Sequence, residues 1–292
     1  MYRKLSVGDK AFYVADYILV SMVICITLYP FLYIISASFS DATALGRGEV
    51  WLLPKGFSLV AYKLVIENNR IWTSYYNTIW YVVVGTAFNM IMTTLTAYPL
   101  SRKKFSARDK IMMFIAFTMF FSGGLVPTYL LVQTIGLINS RWSLVIPAAI
   151  STWNLILMRT FFEGIPESLH EAATIDGCSE FKIMFKIFLP LSLPVMAVMV
   201  LFYAVAHWNS FFSALMYLND QDKYPLQIVL RKILMQYDQG DDMLQNITKG
   251  RDVVGQSVRY ATIVVSTVPI LLVYPFLQKY FVKGVMIGAI KG

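Results

Sequence analysis

An all-α polytopic membrane protein is the fold this sequence predicts, on three observations. Of its 292 residues, 57% are apolar and only 14% charged, whereas soluble domains run at roughly 45–50% and about 25%. The apolar residues collect into six long stretches that are apolar all round, without the one-sided 3.6-residue period of a half-buried helix. Lys and Arg collect in alternate links between those stretches. So much apolar surface excludes a disordered chain. Two cysteines, Cys25 in an apolar run and Cys178 in a charged loop, exclude a disulfide scaffold.

The stretches lie at about 13–37, 75–100, 111–134, 142–162, 189–218 and 258–282. Each supplies the roughly 20 residues that cross a hydrocarbon core about 30 Å thick, and residues 1–292 read as one transmembrane domain. The first, preceded by Arg3 and Lys4, is too long for a signal peptide and lacks an Ala-x-Ala cleavage site, so it reads as an anchor. Basic residues in short flanks mark the cytoplasmic side. Here they are Arg3, Lys4 and Lys10; Arg102, Lys103, Lys104, Arg108 and Lys110; Arg159, Lys182 and Lys186; and Lys279, Lys283 and Lys291. Both termini are therefore expected in the cytoplasm. The net charge of +8 becomes a topology signal, and no nucleic-acid partner is expected.

Two longer external loops, about 38–74 and 219–257, hold diluted basic charge balanced by acids such as Asp238, Asp241 and Asp242. Trp51, Leu52, Leu53, Pro54 and Tyr62 in one, and Leu230, Ile233, Leu234 and Met235 in the other, predict short helices lying on the membrane. Such helices either receive a partner from outside or shield the span ends.

Ionisable groups inside lipid are costly and mark function. Apart from Asp16, near the mouth of the first, no Asp or Glu lies between the span ends. A lone His207 argues against proton coupling, while sodium coupling through carbonyls and hydroxyls stays open. Nucleotide-binding, zinc-protease and paired-cysteine motifs are absent from the sequence, so any nucleotide that powers transport must sit on another chain. Polar uncharged residues do occur in the stretches: Asn77, Asn89, Thr93, Thr94, Ser122, Gln133, Asn154 and Asn209. They either tie helix to helix or line a pathway. Tyr203, His207, Trp208, Asn209 and Ser210 place amides, an imidazole and aromatic faces together at mid-depth. Sugars bind to that combination, stacking C–H faces on rings and sharing hydroxyls with amides. Pro99, Pro127, Pro147, Pro190, Pro194 and Pro269 are points where helices kink or break.

Residues 164–194 read as two short helices with a sharp turn. Pro166 suits a first helical position and Glu167 the positive end of a helix dipole. Leu169, Ala172, Ala173 and Asp176 are expected on one stripe, and Gly177 in the left-handed conformation that ends a helix. Ser179 is the expected cap of the second helix, whose Phe181, Met184, Phe185 and Phe188 face apolar surroundings, and Leu189-Pro190 the start of the fifth span.

Glu171-Ala172-Ala173, with Gly177 six residues after Glu171 and then Ile187 and Leu189-Pro190, resembles the EAA loop of ATP-binding-cassette importer permeases. Trp208-Asn209-Ser210-Phe211, Tyr224-Pro225-Leu226, Phe281-Val282-Lys283-Gly284 and Gly288-Ala289-Ile290-Lys291-Gly292 are similar to carbohydrate-uptake permeases of the maltose-type group. The long loop before the sixth stretch is similar to that of LplC-like oligosaccharide permeases. Cys178 departs from the pattern, where Ala is more usual.

The resemblance implies a non-catalytic permease subunit, multi-pass in a bacterial cytoplasmic membrane, moving an oligosaccharide by alternating access. It implies a homologous but distinct second permease, two cytosolic ATPase subunits that carry ATP and Mg, and an extracytoplasmic solute-binding protein; this chain would hold no cofactor or metal. The EAA helix enters a cleft of the ATPase in that family, making Glu171, Ala172, Ala173, Asp176 and Gly177 the expected coupling residues. Glu171 would meet basic or amide groups, the alanines would permit close approach, and Gly177 would set the angle. The tail Gly288–Gly292 would reach between the ATPases. Tyr203, His207, Trp208, Asn209, Asn89 and Asn154 are the candidates for the substrate pathway. The competing readings are a secondary carrier or channel without an ATPase, an importer of this type for a non-carbohydrate solute, and an intramembrane enzyme, for which the sequence supplies no clustered carboxylates, metal ligands or nucleophile pair.

Overall fold

Residues 6–238 and 255–272 are described in a computed structural model, and every regular element among them is helical. The remainder of the sixth predicted span, the tail 281–292, and Asp241 and Asp242 lie outside the described residues. The chain divides into two compact units, Met1–Asn69 with Leu230–Pro269 and Arg70–Val229 with Ile270–Gly292.

In the first unit α1 (Val7–Ser38) runs for 32 residues with Pro30 inside it. No residue of its most apolar stretch is buried within the chain; only its last turn packs, Ala37 against Leu45 and Val50 with Tyr33 and Tyr260 at the edge. The α2 (Ala42–Gly46) and α3 (Val60–Ile66) helices follow. Ser36 Oγ donates to the Leu52 carbonyl at 2.6 Å, the Ser38 and Tyr62 hydroxyls pair at 2.8 Å, and Phe39 stacks on Tyr62 with centroids 4.8 Å apart. These contacts hold Trp51–Pro54 as an irregular loop rather than the expected helix. Pro54 disfavours a helical residue before it, and Gly56 takes φ +63° just beyond. Tyr62 is helical, as expected.

In the second unit α4 (Asn69–Trp80) and α5 (Thr86–Ser101) join through a π turn at Tyr81–Gly85 into one 33-residue helix. The third predicted span is broken: α6 (Arg108–Phe120) and α7 (Leu125–Thr134) meet at 117°. Ser122-Gly123-Gly124 separates them, with Gly124 at φ +85°, a region cheap only for glycine. Of the fourth stretch only α8 (Thr152–Glu163) is α-helical. Arg141–Leu144 forms a 3₁₀ turn and residues 145–151 lack regular helix around Pro147.

No single helix starts at Leu189 and runs through the fifth expected span. Instead α9 (Glu167–Ile175), α10 (Glu180–Ile183), a π turn at Met184–Phe188 and α11 (Leu189–Leu191) make an arm. From it α12 (Leu193–Trp208) departs at 85°. Pro190 can donate no bond to Lys186, and the widened π turn lies where that bond would be. After α13 (Phe212–Tyr217), α14 (Leu226–Asp238) carries Leu230, Ile233, Leu234 and Met235 as a helix, as expected. A last helix, α15, spans 255–272.

Among the described residues two helices are long and apolar enough to cross a membrane, or four if each bent pair counts as one. The core of the second unit joins Leu155, Met158 and Phe162 of α8 to Tyr98 of α5, Met184 and Phe188 of the arm, and Met199 of α12. Between lipid-facing helices, close packing and hydrogen bonds supply this adhesion, because lipid tails are as apolar as the side chains themselves.

Candidate functional site

The arm is built from its capping residues upward. Pro166, at ψ 129°, is the cap of α9 and not its first helical residue as expected. Glu167 occupies the first turn, at the positive end of the helix dipole. Gly177 takes φ +72°, and the Gly177 and Cys178 amides donate to Thr174 and Ala173, each at 3.0 Å. That bond pair closes a helix at a left-handed glycine, the ending expected here. Ser179 caps α10 by position only, its side chain making no cap bond.

Exposure splits the expected stripe. His170 and Ala173 are buried, whereas Leu169, Glu171, Ala172, Asp176 and Gly177 are exposed. Ala172 and Ala173 point about 100° apart around a helix, so one packs on the core while the other faces out. Ile175, absent from the expected set, is 87% exposed on α9. Met184 and Phe188 are buried as expected; Phe181 and Phe185 are exposed.

Beneath the arm lies a polar network that the sequence did not reveal. Arg102 is buried: its Nε donates to Ser101 Oγ at 3.1 Å, its Nη2 to the Phe162 carbonyl at 3.0 Å, and its Nη1 lies 3.5 Å from Glu167 Oε2. The guanidinium sits 4.3 Å over the Phe188 ring. Tyr98 donates to Glu180 Oε2 at 2.7 Å, and His170 Nε2 stands 3.1 and 3.2 Å from the two Glu180 oxygens. A carboxylate only accepts, so Nε2 carries the hydrogen. A cavity of about 410 Å³ opens between these groups, walled by Leu95, Pro99, Phe105, Phe181 and Met184. Burial pushes the Arg102 guanidinium down, and Glu167, Glu180 and Glu163 act against that. Burial alone would raise the Glu180 carboxyl; the bonds from Tyr98 and His170 and the charge of Arg102 outweigh it and hold it below the usual carboxylate range. In the sequence Arg102 looks the same as the exposed Lys103 and Lys104 beside it. Only burial distinguishes them.

The mid-depth candidates divide in two. Tyr203, His207, Asn89 and Asn154 are buried. Asn89 Nδ2 donates to the Ala148 and Ala149 carbonyls at 2.5 and 2.9 Å, and its Oδ1 receives His207 Nε2 at 2.6 Å. The Tyr203 hydroxyl pairs with Thr93 at 2.7 Å and accepts from the Ser151 amide at 3.1 Å. These groups take up the Ala148 and Ala149 carbonyls and the Ser151 amide of the irregular stretch 145–151, which non-polar surroundings would otherwise leave unbonded. Ser151 Oγ caps α8, 3.5 Å from the Asn154 amide. Trp208 is half-buried and Asn209 exposed at the end of α12, its amide donating back to Val205 at 3.0 Å.

Within α4, Asn77 is fully buried: it receives Arg141 Nη2 at 2.7 Å and donates to the Asp222 and Tyr224 carbonyls at 2.6 and 3.2 Å. Arg141 also lies 5.5 Å over Trp80. Thr78 Oγ1 accepts from the Leu226 amide at 2.8 Å, and Tyr81 donates to the Lys223 carbonyl at 2.9 Å, so Tyr224-Pro225-Leu226 is fastened to α4. Among the described residues no cluster of His, Cys, Asp and Glu could hold a metal ion.

The second unit thus packs broken apolar helices against a glycine-ended arm. Residues 90–287 match the binding-protein-dependent transport system inner membrane component family, and the chain belongs to that family, the permeases of ABC importers. Two relatives from Bacillus subtilis (strain 168) are each 43% identical. The polygalacturonan/rhamnogalacturonan transport system permease protein YtcP aligns over 278 residues, 94% of this chain and 96% of the relative. Protein LplC aligns over 288 residues, 98% and 96%. A solved structure of a bacterial ABC transporter involved in the import of the acidic polysaccharide alginate superposes with a TM-score of 0.90 at 35% identity, over 96% of this chain and 100% of the matched one. The resemblance read from the EAA loop therefore holds, and the carrier or channel without an ATPase is set aside.

Proposed function

We propose that the chain is the transmembrane permease subunit of an ATP-driven importer that passes an acidic oligosaccharide from an extracytoplasmic binding protein into the cytoplasm. The observation that carries this reading is its near full-length match to permeases of sugar importers, one named for polygalacturonan and rhamnogalacturonan and one for alginate. Polygalacturonan and alginate both bear carboxylates along the chain. The subunit crosses a bacterial cytoplasmic membrane six times with both termini inside, as the Lys and Arg placement supports. It pairs with a second, homologous permease, and two ATPase subunits bind the ATP and Mg, so it is itself non-catalytic. The exposed face of α9, with Glu171, Ala172, Asp176 and Gly177 joined by Ile175, enters the ATPase cleft, while Ala173 braces it from beneath. Trp208 and Asn209 are the accessible pathway residues; Asn89, held by His207, and Tyr203 support the backbone at 148–151 alongside, with Asn154 buried next to it.

The test is reconstitution of the full complex in vesicles with its binding protein, and measurement of ATP hydrolysis with galacturonate or alginate oligomers against neutral oligosaccharides. Several-fold stimulation by an acidic oligomer alone is expected. Stimulation by neutral oligomers only would overturn the substrate class, and stimulation by no sugar would overturn the oligosaccharide reading. In the same assay Gly177→Leu is expected to abolish stimulation while the chain still inserts. Its Cβ meets open space, so the harm comes from left-handed backbone strain of about 1–2 kcal/mol that turns the arm's tip.

A further inference from the structure

We infer that Tyr98, Arg102, His170 and Glu180 form a two-point joint that locks the arm to α5, so that a displacement of α9 is carried along the whole α4–α5 helix. This rests on the coupling role proposed for α9 and assigns the residues that relay it. Tyr98 lies in the last turn of α5 and Arg102 is the residue that caps it, so both stand at the same end of that helix. Each holds a different helix of the arm. Arg102 reaches Glu167 in the first turn of α9, while Tyr98 donates to Glu180 at the start of α10. His170 ties α9 to α10 through the same Glu180 carboxylate, closing the loop around the cavity.

Two separated attachments prevent pivoting as well as sliding, which a single bond would not. Arg102 adds a third element, since its Nη2 bond to the Phe162 carbonyl holds the end of α8, and its stacking over Phe188 extends the contact to the arm's far side. From this joint the continuous α4–α5 helix runs back from Tyr98 to the Asn77–Arg141 contact, about 32 Å at 1.5 Å per residue. A continuous helix fastened at two separated points transmits displacement between them. These four are positioning residues, acting through α9 and not on solute or nucleotide.

The experiment compares Tyr98→Phe and Glu180→Ala with the unaltered complex, reconstituted with its partner subunits, by counting solute molecules imported per ATP hydrolysed. Tyr98→Phe removes one oxygen from a packed ring, and Glu180 has an exposed side chain, so both assemble. Each is expected to lower that ratio at least threefold, and the double variant no further than the worse single one, because both act through one joint. A purely structural role lowers import and hydrolysis together and leaves the ratio unchanged; that result, or ratios equal to the unaltered complex, overturns the joint. Gly177→Leu separates the two readings. If it uncouples and the others do not, the joint alone fails; if all three keep the normal ratio, the coupling role of α9 fails with it.

Discussion

Gly85 of the long helix faces His207 of α12 at close range. A Cβ there would lie 2.5 Å from His207 Nε2, and His207 cannot simply swing away because Asn89 Oδ1 holds it at 2.6 Å. Gly85→Ala is therefore expected to break that bond and force α12 outward, at a cost of about 1–3 kcal/mol. A lowered melting midpoint in detergent checks it, and an unchanged midpoint would show that the site yields freely. The same residues show what a sequence withholds. Asn89 and His207 stand out as polar groups in apolar runs, so they are legible as residues with a purpose. Whether they line a pathway or bond backbone depends on Ala148 and Ala149, some 60 positions from Asn89, and no local pattern encodes that pairing. Arg102 is harder still, because a cation flanking a span looks the same whether it meets solvent or the Glu167 carboxylate.

The arm carries a pH signature of its own. Its Glu180 carboxyl is held below the usual range, so the folded state binds that proton less readily than the unfolded chain does. The stabilisation is fully present above the unfolded carboxylate value of about 4.3 and is lost as pH falls through the lower folded value. Melting followed from about pH 5 to pH 3 is expected to decline less steeply in Glu180→Gln than in the unaltered protein, and parallel curves would refute the assignment. The local rules behind the arm were legible: Pro166, Glu167 and Gly177 mark where α9 starts and stops, and the structure moves Pro166 by only one position. The breaks were less legible. Ser122-Gly123-Gly124 and Ser192-Leu193-Pro194 sit within apolar runs long enough to cross a membrane, and composition does not distinguish a straight span from two helices meeting at 117° or 85°.

Across the whole molecule, the basic flanks argue for one orientation, and it can be read directly. In a background with Cys25→Ser and Cys178→Ser, a membrane-impermeant maleimide added outside intact cells is expected to label Lys55→Cys and spare Lys104→Cys. Permeabilised cells should label both, since both positions are exposed; the reverse pattern in intact cells would invert the topology. The first unit has a further requirement. The most apolar stretch of α1 buries nothing within its own chain, so lipid or another subunit must cover it.

Composition and charge placement were enough to establish a lipid-embedded, all-helical chain, and the EAA spacing was enough to establish its family. Both depend on short-range chemistry: transfer of apolar side chains into lipid, attraction of cations to one membrane face, and a glycine required where the backbone turns left-handed. Only the tertiary structure decided where the helices break, that Ala173 turns inward while Ile175 faces out, and that Tyr98, Arg102, His170 and Glu180 meet. Those outcomes depend on burial and on hydrogen bonds between distant segments, such as Tyr98 with Glu180, 82 positions on, and the pairing of distant polar groups is set by packing, which no single stretch of sequence contains.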